Sequence, residues 1–424
     1  MDTAEKKNAK SPLDVFLHGK QVGKLFSNIG GDLSFTYEMA YLKDPKAAKL
    51  SASLPLQGGA FDHPTTFAFF TGLLPDEYVR KRLARYLGLS EKNIFALLKE
   101  IGGECAGAVS LHQEGTSPRT QIEQTYRVLE NKEAHDILSH LDKRPMLAGE
   151  EDIRISGAGA QNKLIISLIQ GKIAIPTGNT PSTHIIKPAI KDIAHSVHNE
   201  FFCMKLAKAV GLPVPEVYIH WLENEPYYLI ERYDRCLLKD GSIRRLHQED
   251  FCQALHIPAE QKYENEGGPS LLQCFDFLDQ RMASGVMAGR NKITLLEGVI
   301  FNFLIGNGDA HGKNFSLLYK EEAESLAPFY DLMSTVIYIG AFKAKMAMKL
   351  AGQSKFKDVV LHHFERLGES IGFRPDFVAK QVKSLTQKTM KSAILLRDKL
   401  NDDSRTASPI YDDILKTIEK HSQL

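Results

Sequence analysis

Asn307-Gly-Asp-Ala-His-Gly-Lys-Asn-Phe-Ser316, followed by Pro328-Phe-Tyr-Asp331, is the stretch on which the fold assignment turns. Asp309 and Asn314 stand five residues apart, and an isolated carboxylate, Asp331, arrives seventeen residues after Asn314. Phosphoryl-transfer enzymes with a catalytic loop use an aspartate to orient the attacking hydroxyl and accept its proton. An asparagine five residues on and a more distant aspartate hold the metal ions that bridge the nucleotide phosphates. A polar surface turn rich in Asn and Gly is the competing reading of the same residues. The flanks favour chemistry. Val299-Ile-Phe-Asn-Phe-Leu-Ile305 is too short to cross a bilayer and suits a buried helix, and Asp331 closes a second apolar run beginning at Leu326. Rigid apolar elements that deliver a loop of Asp, His, Lys and Asn are how a scaffold places reactive groups.

Outward from this loop, the rest of the chain sets bounds. Its 424 residues are enough for two or three domains or one large enzyme with two lobes. With 53 basic and 52 acidic residues, the formal charge of +1 gives no global pull toward nucleic acid or a membrane, so such a contact would have to be a local patch. Cysteines 105, 203, 236, 252 and 274 form no Cys-x-x-Cys pair, which points to reduced thiols in a cytoplasmic protein and away from structural zinc. Met1 to Lys10 is polar and lysine-rich, unlike a signal peptide or anchor, and reads as a disordered tip.

Residues 13–60 alternate apolar and polar positions between glycines, as an antiparallel sheet with hairpins does. Helical spacing follows over 66–72, 76–87 and 90–101, with Ser90 as the expected N-cap of the third helix and Gly102-Gly103 as its stop. Pro, Thr, Gln and Ser between 112 and 125 suggest a linker. Strands are expected at 163–168, 172–176, 184–187, 217–221 and 227–232, around a helix from Ser196 to Val210 that Gly211 and Pro213 stop. Beyond about 240 the periodicity predicts an almost wholly helical half. The expectation is an α+β, bilobal protein-kinase-like fold. It would comprise an N-terminal β-rich subdomain with helices at 1–115, a β-rich lobe at 116–235 and an all-α lobe at 236–424.

Further candidates lie before the catalytic loop. In Ser156-Gly-Ala-Gly-Ala-Gln-Asn-Lys163 the small residues would let successive N–H groups approach a phosphate, with Lys163 adding a point charge, although small-residue loops also serve ordinary hairpins. Lys187 ends an otherwise apolar strand, where burial asks for an anionic partner such as the phosphates of ATP. Glu200, placed in the first turn of the following helix, could pair with Lys187 as kinase lobes pair such residues; a glutamate favouring the helix dipole is the alternative. Glu231-Arg-Tyr-Asp234 ends the last expected strand, where a hinge reading the adenine edge would fall.

Taken in order, these segments resemble the HipA family, bacterial serine/threonine kinases that act as toxins of toxin–antitoxin pairs. The resemblance spans nearly the whole chain. It rests on Leu50-Ser-Ala-Ser-Leu-Pro-Leu56, Phe69-Phe-Thr-Gly-Leu-Leu-Pro-Asp76, Ser156 to Lys163, Thr183 to Pro188, Glu231 to Arg235, Gln248-Glu-Asp-Phe-Cys-Gln-Ala254, Asp309 to Ser316 and Pro328 to Asp331. It implies ATP and Mg2+ as cofactors, with Asp309 as catalytic base and Asn314 and Asp331 as magnesium ligands. Ala158, Gly159, Ala160, Gln161, Asn162, Lys163 and Lys187 would hold the ATP phosphates; Glu231, Arg232, Tyr233 and Asp234 would form the adenine hinge; His311, Gly312 and Lys313 would lie beside the nucleotide. Ser156 falls where the family autophosphorylates, which expels the phosphate loop and silences the kinase. Two positions depart from the pattern: Asn162 stands where a glutamate is expected, and Gly157 replaces a bulkier residue.

The resemblance also implies partners. These are a HipB-like helix-turn-helix antitoxin, operator DNA through that complex, and an aminoacyl-tRNA synthetase as protein substrate, glutamyl-tRNA synthetase in particular; no membrane is implied. Lys380, Lys383, Lys388 and Lys391 lie where the family approaches DNA, though lysines at helical spacing also make an ordinary solvated face. Two other readings stay open. A small-molecule kinase of the aminoglycoside or choline type shares the Asp-to-Asn spacing, and a catalytically idle antitoxin-binding co-repressor would need no catalytic loop.

Overall fold

The computed structural model describes residues 11–116, 118, 124–150, 152–178, 180–320, 323–338 and 345–424. The lysine-rich start and six residues of the expected linker, 117 and 119–123, lie outside the described residues. The chain forms two units, one of Met1–Lys187 with Arg232–Glu260 and one of Pro188–Glu231 with Gln261–Leu424. The expected boundary at 235 thus falls inside a segment, 232–260, that belongs to the first unit.

In the first unit an antiparallel sheet runs in the order Ala60–Phe61, Leu33–Tyr37, Lys20–Ser27, Leu13–Leu17, Val109–Gln113. Alternation overstated its exposure. All five residues of Leu13–Leu17 are buried, and Asp14 lies inside the protein because its carboxylate accepts from Gln21 Nε2 at 3.0 Å and Gly115 N at 2.9 Å. Phe35, Phe61, Phe69 and Phe70 join the core between this sheet and its helices. The helix His63–Gly72 starts where Asp62 accepts from Thr65 N. The third helix begins later than expected, at Ile94, because Asn93 rather than Ser90 caps it by accepting from Ala96 N.

A second antiparallel sheet of the same unit orders His184–Lys187, Leu164–Ile169, Lys172–Pro176 and Tyr126–Val128. Its central hairpin turns through Gln170 and Gly171, both at positive φ, as a two-residue turn matched to strand twist requires. Segment 232–260 docks against the loop and helix that pack on the first sheet, through the blocks that carried the resemblance. The Glu249 carboxylate accepts from Ser51 Oγ and from Ala52 N, and Asp250 N-caps its helix in a reciprocal capping box with Gln253, whose side-chain amide donates to Phe69 O at 2.9 Å.

The second unit holds the hairpin Val217–Leu222/Glu225–Glu231, the helix Ser196–Ala209, and the helices Leu271–Ala283, Arg290–Ile305, Leu361–Ser370, Pro375–Asn401 and Ile410–His421. The almost wholly helical half expected beyond 240 is corrected by the strands Ile243–Arg245 and His247–Asp250 in the first unit and the hairpin Ser316–Lys320/Ala323–Leu326 in the second. Short, largely buried strands carry too few residues to show a period, so periodicity alone reads them as part of their helical surroundings. Arg290–Ile305 confirms the buried helix before the loop, and among the described residues no helix is long and apolar enough to cross a membrane. The five cysteines are free thiols, four of them buried.

Candidate active site

The buried helix Arg290–Ile305 stops at Gly306, whose φ is +70° and where a Cβ would come within 2.4 Å of Val336 Cγ2; a glycine is the residue that can turn here. Beyond it, Asn307 is the pin of the loop. Its Oδ1 accepts from Asp309 N at 3.0 Å, while its Nδ2 donates to Asn302 Oδ1 at 2.7 Å and to Asp331 O at 3.3 Å. Asn314 Nδ2 donates to Asp309 O at 2.8 Å. One hydrogen-bonded frame therefore holds the backbones of Asp309 and Asp331 and the side chain of Asn314. Asn307 was within the quoted stretch but carried no assigned role; an amide at the mouth of a polar loop is the signal that could have found it.

Within this frame the groups differ in access. The Asp309 side chain is 41% exposed, whereas Asn307, His311 and Lys313 are buried. His311 Nε2 lies 4.0 Å from Asp309 Oδ1, and the Tyr263 hydroxyl donates to the same oxygen at 2.6 Å. Tyr330 OH donates to Lys313 O at 2.7 Å and fixes the far side of the loop. Asp331 adopts φ +53°, a left-handed conformation that glycine, asparagine and aspartate enter more readily than other residues. With one N–H of its amide given to Asp309 O, the Asn314 side chain is oriented and its amide oxygen is an acceptor. That oxygen and the Asp331 carboxylate are hard oxygen donors, which suit magnesium. Among the described residues no cluster of three or more His, Cys, Asp or Glu offers a different metal centre.

The first unit carries the other candidates. Ile155 and Gly159 bridge to Glu104 and Pro75, with Ser156 N donating to Glu104 O at 2.8 Å and Asp76 N donating to Gly159 O at 3.1 Å. Lys163 Nζ donates back to Ala158 O, so the lysine arches over its own loop. Gly159 has φ +110°, and a Cβ there would sit 2.5 Å from that ammonium. Asn162 Oδ1 accepts from Arg82, and Gly157 faces Ile165, Met146 and Lys163 at 3.2–3.4 Å from where its Cβ would be. Ser156 is 1% exposed, with its hydroxyl donating to Leu73 O. Lys187 is buried at the end of its strand.

Three groups of candidates have surroundings that the sequence did not show. Arg232 and Asp234 have no side chain to offer a nucleotide: Arg232 donates to Asp234 at 2.8 and 2.9 Å and to Glu104 at 3.2 Å, and Asp234 also accepts from Gly107 N. These residues, with Arg235 and Arg245 on Glu104, form a buried ion cluster that single positions in the sequence did not reveal. Burial would raise the Glu104 carboxyl, but Arg245, Arg235 and Arg232 outweigh it and hold it at about 2. Glu200 lies past the first helical turn and is buried, so a dipole role does not account for it. Lys380, Lys383, Lys388 and Lys391 are all exposed, and Lys388 also donates to Val210 O at 2.6 Å at the C-terminal end of the helix Ser196–Ala209.

Comparison with known proteins agrees with this architecture. Residues 13–112 match the HipA N-terminal domain and residues 155–393 the HipA-like C-terminal domain. The protein Y4mE of Sinorhizobium fredii is 38% identical over 393 residues, covering 92% of this chain and 93% of that protein. The serine/threonine-protein kinase toxin HipA of Shewanella oneidensis is 28% identical over 407 residues, covering 92% and 91%. Its structure with HipB and operator DNA superposes with a TM-score of 0.82 at 23% identity, over 97% of this chain and 96% of that one, and shows the same α+β, kinase-like fold. The chain belongs to the HipA family of serine/threonine kinases.

Proposed function

We propose that this kinase moves the γ-phosphoryl group of ATP to a protein hydroxyl, with Asp309 as the general base. The observation that carries the reading is the Asn307 frame, which fixes the backbones of Asp309 and Asp331 and leaves the Asp309 carboxylate open to an acceptor. Asn314 and Asp331 would hold Mg2+, which when bound neutralises charge on the phosphate oxygens. Ala158 to Lys163 and Lys187 would hold the phosphates, the loop backbone offering N–H groups and Lys163 its charge. At the hinge, backbone groups of Glu231 to Tyr233 would read adenine, since Arg232 is committed to Glu104.

Ser156 would be the regulatory site. Its buried hydroxyl, bonded to Leu73 O, can receive a phosphoryl group only after the loop leaves that seat, and the dianion formed could not return beside a loop shaped for phosphate. Gly157 and the neutral Asn162 would make this loop less bulky and less charged than the pattern the resemblance implies. The acceptor class suggested by the family resemblance is an aminoacyl-tRNA synthetase, with glutamyl-tRNA synthetase as first candidate. An antitoxin of the HipB kind, with operator DNA, is the partner suggested by the Shewanella complex.

Incubation with labelled ATP and magnesium, alone and with cell extract, tests the proposal. Label on Ser156 and on one extract protein is expected. Asp309→Gln should reduce both by about 10²–10⁴-fold while leaving the melting temperature unchanged. Label on small molecules, or none at all, would overturn it in favour of a small-molecule kinase or an idle antitoxin binder.

A further inference from the structure

Tyr263 lies 46 residues before Asp309, in Lys262-Tyr-Glu-Asn-Glu-Gly-Gly-Pro269, a turn with no apolar period to mark it. Its shape is imposed by glycine. A Cβ at Gly268 would fall 2.2 Å from Gln261 O, and the Tyr263 carbonyl accepts from both Glu266 N and Gly268 N, at 2.8 and 2.9 Å. Neighbouring segments hold the turn in place: Glu264 N donates to Ala347 O, the Glu264 carboxylate accepts from Lys349 N, and Gly312 N donates to Lys262 O at 3.3 Å. The last contact ties the turn to the catalytic loop itself.

We propose that Tyr263 is a positioning residue for Asp309, an inference that rests on the reading of Asp309 as base. The ring meets His311 edge-on at 5.2 Å, a contact phenylalanine would make as well. The hydroxyl has a separate job: it donates to Asp309 Oδ1 at 2.6 Å. An aspartate side chain 41% exposed needs no such partner to be tolerated, because water would serve. What the bond does is stop rotation about the carboxylate axis. Oδ1 is held by Tyr263 with His311 nearby, and within this unit the described residues place no partner on Oδ2, which is left to accept the proton of the acceptor hydroxyl. A base fixed before the substrate arrives needs no reorganisation during transfer.

The same 2.6 Å geometry is what an acceptor hydroxyl would adopt, so a tyrosine that blocks the base is the rival account, and it predicts the opposite sign. In the full-length kinase, Tyr263→Phe should lower kcat about tenfold, as loss of one hydrogen bond to a charged group does. KM for ATP, the nucleotide Kd measured by calorimetry and the melting temperature should be unchanged. In the Asp309→Gln background, Tyr263→Phe should cost nothing further, because the carboxylate it orients is gone. Wild-type or raised turnover in Tyr263→Phe, or a loss that persists undiminished in the double variant, would overturn the positioning role while leaving Asp309 as base. Wild-type turnover in Asp309→Gln would overturn both.

Discussion

Glu104 in the first unit and Asp309 in the second are the same functional group put to opposite uses. Glu104 is buried and takes Arg232, Arg235, Arg245 and Ser182 on its two oxygens. Asp309 is open to solvent and takes one tyrosine hydroxyl on one oxygen. A carboxylate whose acceptor sites are all filled can hold structure together but has nothing to give a substrate. One with an oxygen in reserve can do chemistry, provided its backbone is fixed by something else, here Asn307.

The contrast can be broken most forcefully at Glu104. Glu104→Ala leaves three guanidinium groups without their shared counter-charge and should destabilise the first unit by about 3–5 kcal/mol, read as a lowered urea midpoint, whereas Asp309→Gln should leave that midpoint alone. Acid sharpens the same distinction more gently. Burial lowers His247 to about 4, against a weaker opposing hydrogen bond to Leu50 O, and burial with Arg154 and Arg245 nearby lowers His112 to about 4. Both are neutral when folded and bind protons more readily when unfolded. Their stabilisation is therefore complete above the unfolded value of 6.5 and is lost as pH falls from there toward 4. Thermal melts should show a loss on the order of 2–3 kcal/mol by pH 5.5 from the two together. Glu104, held at about 2, contributes stability that is present above 4.5 and disappears only as pH falls toward that lower value. The smallest effect should come from Gly159→Ala: strain at φ +110° and displacement of the Lys163 ammonium should cost about 1 kcal/mol in stability and raise KM for ATP, with acceptor KM unchanged.

Much of this was legible in the chain. The Asp309 to Asn314 spacing and the apolar helix before it gave the loop, and the strands Leu164–Ile169 and Lys172–Pro176 and the helix from Ser196 fell close to where periodicity and stop signals put them. Other features could not be read that way. The cap at Asn93 competed with a nearer serine, and the strands after 240 are too short to show a period. That the Arg232 and Asp234 side chains are engaged elsewhere could not be read locally, because nothing nearby announced that Glu104, 128 residues before Arg232, would take the arginine.

The sequence by itself determined which atoms are available: three oxygen-bearing side chains at fixed spacing, a small-residue loop, and the order of blocks that marks the family. Tertiary structure decided which of them remain open to a ligand. Spacing along a chain fixes local geometry, but whether a carboxylate meets three arginines or one tyrosine depends on segments brought together from far apart, through contacts no local pattern encodes.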